Sequence, residues 1–116
     1  MQRKGQWQAL DEMMTDAMQR LERAGADLVV LCTNTMHKCA PAMEAGSRLS
    51  LLHIADPTAE KLTQEGIKTV GLLGTRFTME EEFYRNRLIE KFGLTVLTPS
   101  PAERTAVHQV IYEELV

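Results

Sequence analysis

The stretch Asp27-Leu-Val-Val-Leu-Cys-Thr-Asn-Thr-Met-His37 decides the fold. It opens as a continuous apolar run, Leu28 to Leu31, the pattern expected of a strand buried on both faces. It then turns polar at Cys32, Thr33, Asn34 and Thr35, and continues as the start of a helix. In open α/β sheets, ligands bind beyond the carboxyl ends of the strands. A thiol, two hydroxyls and an amide arrive together at such an end here. The helix that follows would turn its unpaired N–H groups and the positive end of its dipole to the same place. That combination suits a small molecule carrying a carboxylate or a phosphate.

Upstream, Trp7 to Ala24 reads as an amphipathic helix. Leu10, Met13, Met14, Ala17, Met18 and Leu21 recur at helical spacing, and Gly25 is a natural stop. The methionines read as core filler, and Trp7 as an anchor at the helix start. Downstream, Met36 to Ala45 reads as a helix whose start is irregular because Pro41 lies inside it. Leu49 to Ile54 is a short strand, and Asp56-Pro57-Thr58 supplies an N-cap with proline at the first helical position. That helix runs to about Gln64. Lys68 to Leu73 is a further strand, Gly74 to Thr78 the turn after it, and Met79 to Phe92 a helix closed by Gly93. The acidic start of that helix, Glu80 to Glu82, suits the dipole and reads as a solvated turn rather than a metal site. Leu94 to Leu97 is the last strand. Pro101 opens the last helix, with Val107, Val110, Ile111 and Leu115 on one face.

Helices alternate with short apolar strands throughout. The pattern predicts an α/β fold: an open parallel sheet with helices on both faces, Rossmann-like. A doubly wound domain usually starts on a central strand. This chain starts on a helix and ends inside one, so it reads as a piece of a longer protein.

The 116 residues have room for one modest domain. An apolar fraction of 44% and a charged fraction of 25% are those of an ordinary globular chain. The net charge of −3, with no basic run, speaks against nucleic acid. No apolar stretch approaches the ~20 residues that span a bilayer, and the polar start, Met1 to Trp7, is unlike a signal peptide. Two cysteines, Cys32 and Cys39, make no disulfide framework and fit a reducing, cytoplasmic setting.

Two strand ends carry polar clusters: Cys32-Thr33-Asn34-Thr35 and Gly74-Thr75-Arg76-Phe77-Thr78. Both precede a helix, so both can serve one ligand. The plainer reading is that the threonines and Asn34 cap helices and satisfy orphan N–H groups. The spacing of Cys32, His37 and Cys39 matches no zinc pattern, so no metal is expected. Cys39 reads as a small buried hydrophobe, His37 as either a ligand contact or a helix-surface residue, His53 as structural and His108 as surface.

These residues carry a resemblance. Ala24 to His37 resembles the first active-site motif of the aspartate/glutamate racemase family. Val70-Gly-Leu-Leu-Gly-Thr-Arg-Phe-Thr78, with Phe83-Tyr84 after it, resembles the start of that family's second domain. The resemblance implies parts of two similar α/β domains, residues 1–66 lacking their first strand and residues 67–116 incomplete. It implies an isomerase that interconverts the L and D forms of aspartate or glutamate without pyridoxal phosphate or another cofactor. One residue removes the α-proton and another returns one on the opposite face. Aligning Asn34-Thr35-Met36-His37 with the motif puts Thr33, not Cys32, in the slot usually held by cysteine, with Cys32 turned into packing. A local bulge that brings Cys32 round is the rival. Asn34, Thr35, Thr75 and Thr78 are then the substrate-binding candidates. The second catalytic residue would lie beyond Val116, so the fragment itself is expected to be inactive. The expected partner is a small acidic amino acid, and a homo-oligomer is expected because a truncated sheet exposes strand edges. The alternative is a non-catalytic α/β module that binds a small carboxylate or phosphate at the same strand ends.

Overall fold

A computed structural model describes residues 5–115; the first four residues of the polar start, and Val116 at the end of the last predicted helix, lie outside them. The chain divides into two compact units, Met1–Ile54 and Ala55–Val116. Both are α/β, with short parallel strands and helices around them.

In the first unit, α1 spans Trp7–Arg23, and Gly25, at φ 88°, lets the chain leave it in a left-handed turn. Strand β1 (Leu28–Val30) pairs in parallel with β2 (Ser50–Leu52), placing Val29 opposite Leu51. Between them the chain makes a 3₁₀ turn, Thr35–Cys39, and then α2, Ala40–Gly46. Pro41 sits in the first turn of α2, where its missing N–H costs nothing, and the irregular start is the 3₁₀ turn. Leu10 and Met18 of α1, Ala40 and Met43 of α2, and Val29 and Leu51 of the strands form one core. Both helices therefore cover the same sheet face. Trp7 packs against the edge of this core with the Lys38 ammonium 4.1 Å above its ring.

The expectation that β1 is buried on both faces fails. Val29 is 7% exposed, but Leu28 and Val30 are 51% and 57% exposed, and Leu52 of β2 is 47% exposed. The sheet has two strands, and among the described residues only the Val29–Leu51 face is covered. A two-faced apolar run thus alternates in burial like a one-faced strand.

In the second unit, α3 (Ala55–Gln64) precedes β3 (Thr69–Gly71), which pairs in parallel with β4 (Thr95–Leu97). Between them lie α4 (Arg76–Glu80), α5 (Glu82–Asn86) and a π turn (Arg87–Lys91); α6 (Pro101–Val110) and a second π turn (Ile111–Leu115) follow β4. The single helix expected from Met79 to Phe92 is therefore three pieces. It begins earlier because Thr75 caps it. It breaks at Glu81, whose backbone is extended (φ −86°, ψ 156°) and caps α5. The last helix opens on a capping box between Ser100 and Glu103, as its Pro101 start suggests. Its apolar face is left largely uncovered: no residue of it is buried and Leu115 is 73% exposed.

Asp56 is not the N-cap that the sequence suggests. Helix α3 starts one residue earlier, at Ala55. The Asp56 carboxylate instead takes two bonds from Arg87, at 2.5 and 2.8 Å, and one from Lys91, at 2.6 Å. Two cations four residues apart outcompete a backbone cap for a carboxylate. Ala55 and Ala59, one turn apart, are both fully buried, so α3 sits tight in this unit. The domain boundary expected from the sequence lies after α3, at residue 66.

Two expected outcomes follow from this packing. A Cβ on Gly46 would lie 2.3 Å from Thr15 Cγ2, so α1 and α2 meet where only glycine fits. Gly46→Ala is expected to destabilise the chain by about 1–3 kcal/mol in urea unfolding. Thr15→Ser, which removes that methyl, is expected to restore most of the loss; an unchanged midpoint for Gly46→Ala alone would refute the close approach.

The second concerns acid. Hydrogen bonds from Ser47 and then Arg48 hold the Glu22 carboxyl at about 2, and Arg87 holds Asp56 well below the usual carboxylate range. A depressed folded-state pKa contributes stability above the unfolded value, and that stability is lost as pH falls through the folded one. Urea midpoints are therefore expected to drop between pH 5 and pH 2. Asp56→Asn is expected to lower stability at pH 7 by roughly 2 kcal/mol and to flatten the acid slope. A slope as steep as the parent's would disprove the assignment.

Candidate functional site

Strand β1 ends at Val30, and Leu31 still packs against the core. Beyond it Cys32, Thr33 and Asn34 are all exposed, and Thr35 is buried at 6%. Cys32 is thus not turned into packing, as strand alternation would have it; it is exposed beyond the strand end. Cys32 and Thr33 are both exposed residues at the same strand end.

Asn34 is the residue before the 3₁₀ turn. Its backbone is already helical (φ −70°, ψ −55°) and its side chain makes no capping bond. The turn is closed by the backbone, His37 N–H donating to Asn34 O at 3.0 Å. The plain capping explanation for Asn34 therefore does not hold.

His37 is neither a ligand contact nor a helix-surface residue. It is completely buried. Ile54 N–H donates to its Nε2 at 3.1 Å, and its Nδ1 lies 2.6 Å from Thr33 O. A nitrogen that accepts an N–H carries no proton, so the ring is neutral and Nδ1–H donates to Thr33 O. The His53 ring, 2% exposed, lies 4.3 Å from it at 58°. Sequence reading missed this bridge; the available signal was a histidine one turn past a strand end. Cys39 behaves as expected: it is fully buried, and burial with a hydrogen bond to Asp11 pushes its thiol up to about 12.

The second cluster differs. Thr75 caps α4, its Oγ1 accepting from Thr78 N–H at 3.4 Å and lying 3.3 Å from Thr78 Oγ1. Thr78 is 2% exposed and Thr75 half-buried. Gly74 admits this arrangement, since a Cβ there would lie 3.1 Å from Thr78 Cβ. Here the capping explanation holds. His108, read as surface, is half-buried and accepts from Arg76 N–H at 3.1 Å through Nδ1. The two clusters follow strands of different sheets.

A shallow concavity of about 480 Å³ in the first unit is lined by Gln19, Glu22, Gly46 and Arg48. By chain order it lies at the amino ends of the strands, away from Thr33. Its carboxylate is taken up by Ser47 and Arg48, so it offers a ligand little. No helix among the described residues is long and apolar enough to cross a membrane.

The chain matches the family model of the Asp/Glu/Hydantoin racemases over residues 1–115. It is 54% identical to a Yersinia pestis protein assigned as an Asp/Glu racemase, whose crystal structure superposes with a TM-score of 0.89. It is 33% identical to an aspartate racemase homologue from Pyrococcus horikoshii, at a TM-score of 0.79. Each comparison covers 98% of this chain and 50% of the other, so the chain spans half the length of these relatives. A strand end that offers Thr33 and Asn34 to solvent, in front of Thr35-Met36-His37, is thus the form that this motif takes in a chain belonging to the Asp/Glu/Hydantoin racemase family.

Proposed function

We propose that this chain is part of an amino-acid racemase that interconverts L- and D-aspartate or glutamate, with its binding end at Thr33 and Asn34. The observation that carries the reading is the exposed tip of β1, where Asn34 leaves its side chain uncommitted to the helix it precedes.

The chemistry sets the demands. The α-proton of an amino acid is very weakly acidic, and removing it leaves a carbanion whose charge spreads into the carboxylate. Stabilising that charge requires donors aimed where it develops. The backbone N–H groups from Asn34 to Met36, with the Asn34 and Thr35 side chains, are suited to the carboxylate. Thr35 is buried, so the exposed residue Asn34 stands nearest the ligand. Thr75 and Thr78 serve chiefly to fix the start of α4. One base takes the α-proton from one face, and an acid returns a proton to the other. A thiolate can act as that base, because its pKa can be lowered to suit. A threonine hydroxyl cannot ionise in this range, so Thr33 acts only as a relay, passing its proton to the carbanion as it takes one from water. The main base is then a thiol outside these 116 residues, and the chain alone should not racemise. Bare apolar strand positions and open strand edges favour a homo-oligomer, and a reducing, cytoplasmic setting suits the exposed Cys32.

The two enantiomers have equal free energy in water, so the equilibrium constant is one and kcat/KM must be equal in both directions. In the full-length protein, Thr33→Cys is expected to raise kcat/KM about tenfold or more, equally both ways, measured by circular dichroism of L- and D-aspartate. Cys32→Ala is expected to leave it close to the parent. If Thr33→Cys has no effect and Cys32→Ala abolishes turnover, Cys32 is the acid/base residue instead. Racemisation by the 116 residues alone would overturn the division of the acid/base pair. A raised melting temperature with L-aspartate, without turnover in the full-length protein, would favour a non-catalytic carboxylate-binding module.

A further inference from the structure

We propose that His37 is a positioning residue, which aims the Asn34 amide at the ligand's carboxylate by holding the Thr33 carbonyl inward. The inference deepens the racemase reading and rests on it for its catalytic consequence.

The geometry comes from one peptide plane. Thr33 O and Asn34 N–H belong to the same peptide unit, and the described residues contain no cis peptide bond. In a trans peptide the C=O and N–H point in opposite directions. Thr33 O is drawn to Nδ1 of a completely buried ring at 2.6 Å. The Asn34 N–H must then point the other way, toward the side where Thr33 and Asn34 meet solvent. His37 thereby converts an inward hydrogen bond into an outward donor.

The ring itself is held from behind. Ile54 N–H at Nε2 fixes the tautomer, and the His53 ring limits rotation. Ile54 lies two residues past the end of β2, so the aim of the Asn34 amide is referred to the second strand as well as the first. A hydrogen bond that sets both tautomer and ring orientation is the usual means of positioning an imidazole.

Two variants separate positioning from mere support. His37→Asn keeps an N–H near the Nδ1 position, for Thr33 O, and loses the acceptor for Ile54. His37→Gln keeps an acceptor near the Nε2 position and loses the donor to Thr33. Each removes one buried bond, so both should lose similar stability. In the full-length protein, kcat for L-aspartate is expected to fall about a hundredfold in His37→Gln and to stay within about threefold of the parent in His37→Asn. Equal falls in the two variants, or falls that track stability, would overturn the proposal. On this chain, ¹⁵N NMR should show His37 protonated at Nδ1 and bare at Nε2; the other tautomer or a charged ring would also overturn it. Should the full-length parent not racemise, the racemase reading falls alone. L-aspartate affinity then decides the inference: about tenfold weaker binding in His37→Gln only supports it, and equal affinities refute it.

Discussion

A neutral imidazole that joins two strand ends is the constraint on which the first unit depends. Strand pairing satisfies the backbone groups that Leu28–Val30 and Ser50–Leu52 turn toward each other. Beyond those limits the chain must leave the sheet, and its backbone groups need partners elsewhere. His37 serves one group on each side, Thr33 O and Ile54 N–H. An apolar residue of similar size would leave both unsatisfied, at about 1–3 kcal/mol each. The 3₁₀ turn that carries His37 is therefore more than a connection to α2. Its tighter winding carries His37 to a wholly buried place within one turn of Asn34.

Burial across each sheet follows from the number of strands. With two strands and both helices on one face, Val29 and Leu51 are covered while Leu28, Val30 and Leu52 are not. The second unit repeats the pattern: Val96 is 6% exposed and Leu97 58%. Each exposed apolar position lies on the face opposite the core, in register with its neighbours on the paired strand. This is the arrangement of half-built layers, and it accords with a chain that spans half the length of its relatives.

Much of this was legible in the residues. Period 3.6 in Trp7 to Ala24, glycine stops and Pro101 gave helices near their observed positions. The strand at Leu28 was legible from its run of apolar residues, but its burial was not, because a run does not tell how many strands will lie beside it. The break at Glu81 was hidden because Glu is a good helix former and nothing local forbids continuation. Asp56 misled for the opposite reason: its local signal for a cap was strong, and partners 31 and 35 residues away won. His37 was legible as unusual but not as buried, since sequence spacing cannot show that Ile54 returns to meet it.

The two polar clusters look alike in sequence and differ in what their side chains do. Thr75 commits its hydroxyl to Thr78 N–H, as an ordinary N-cap does, and the cluster closes on itself. Asn34 does not, because its backbone is already helical and its side chain cannot reach back over the first turn. The difference traces to geometry rather than residue type. Thr75 has the extended backbone (φ −62°, ψ 161°) from which a side chain caps. Asn34 differs in ψ, and its carbonyl oxygen accepts from His37 N–H at 3.0 Å to close the 3₁₀ turn. A cap at Asn34 would require turning the Asn34–Thr35 peptide, which would break that bond. The turn at one strand end is thus closed by the backbone, and that at the other by the Thr75 hydroxyl.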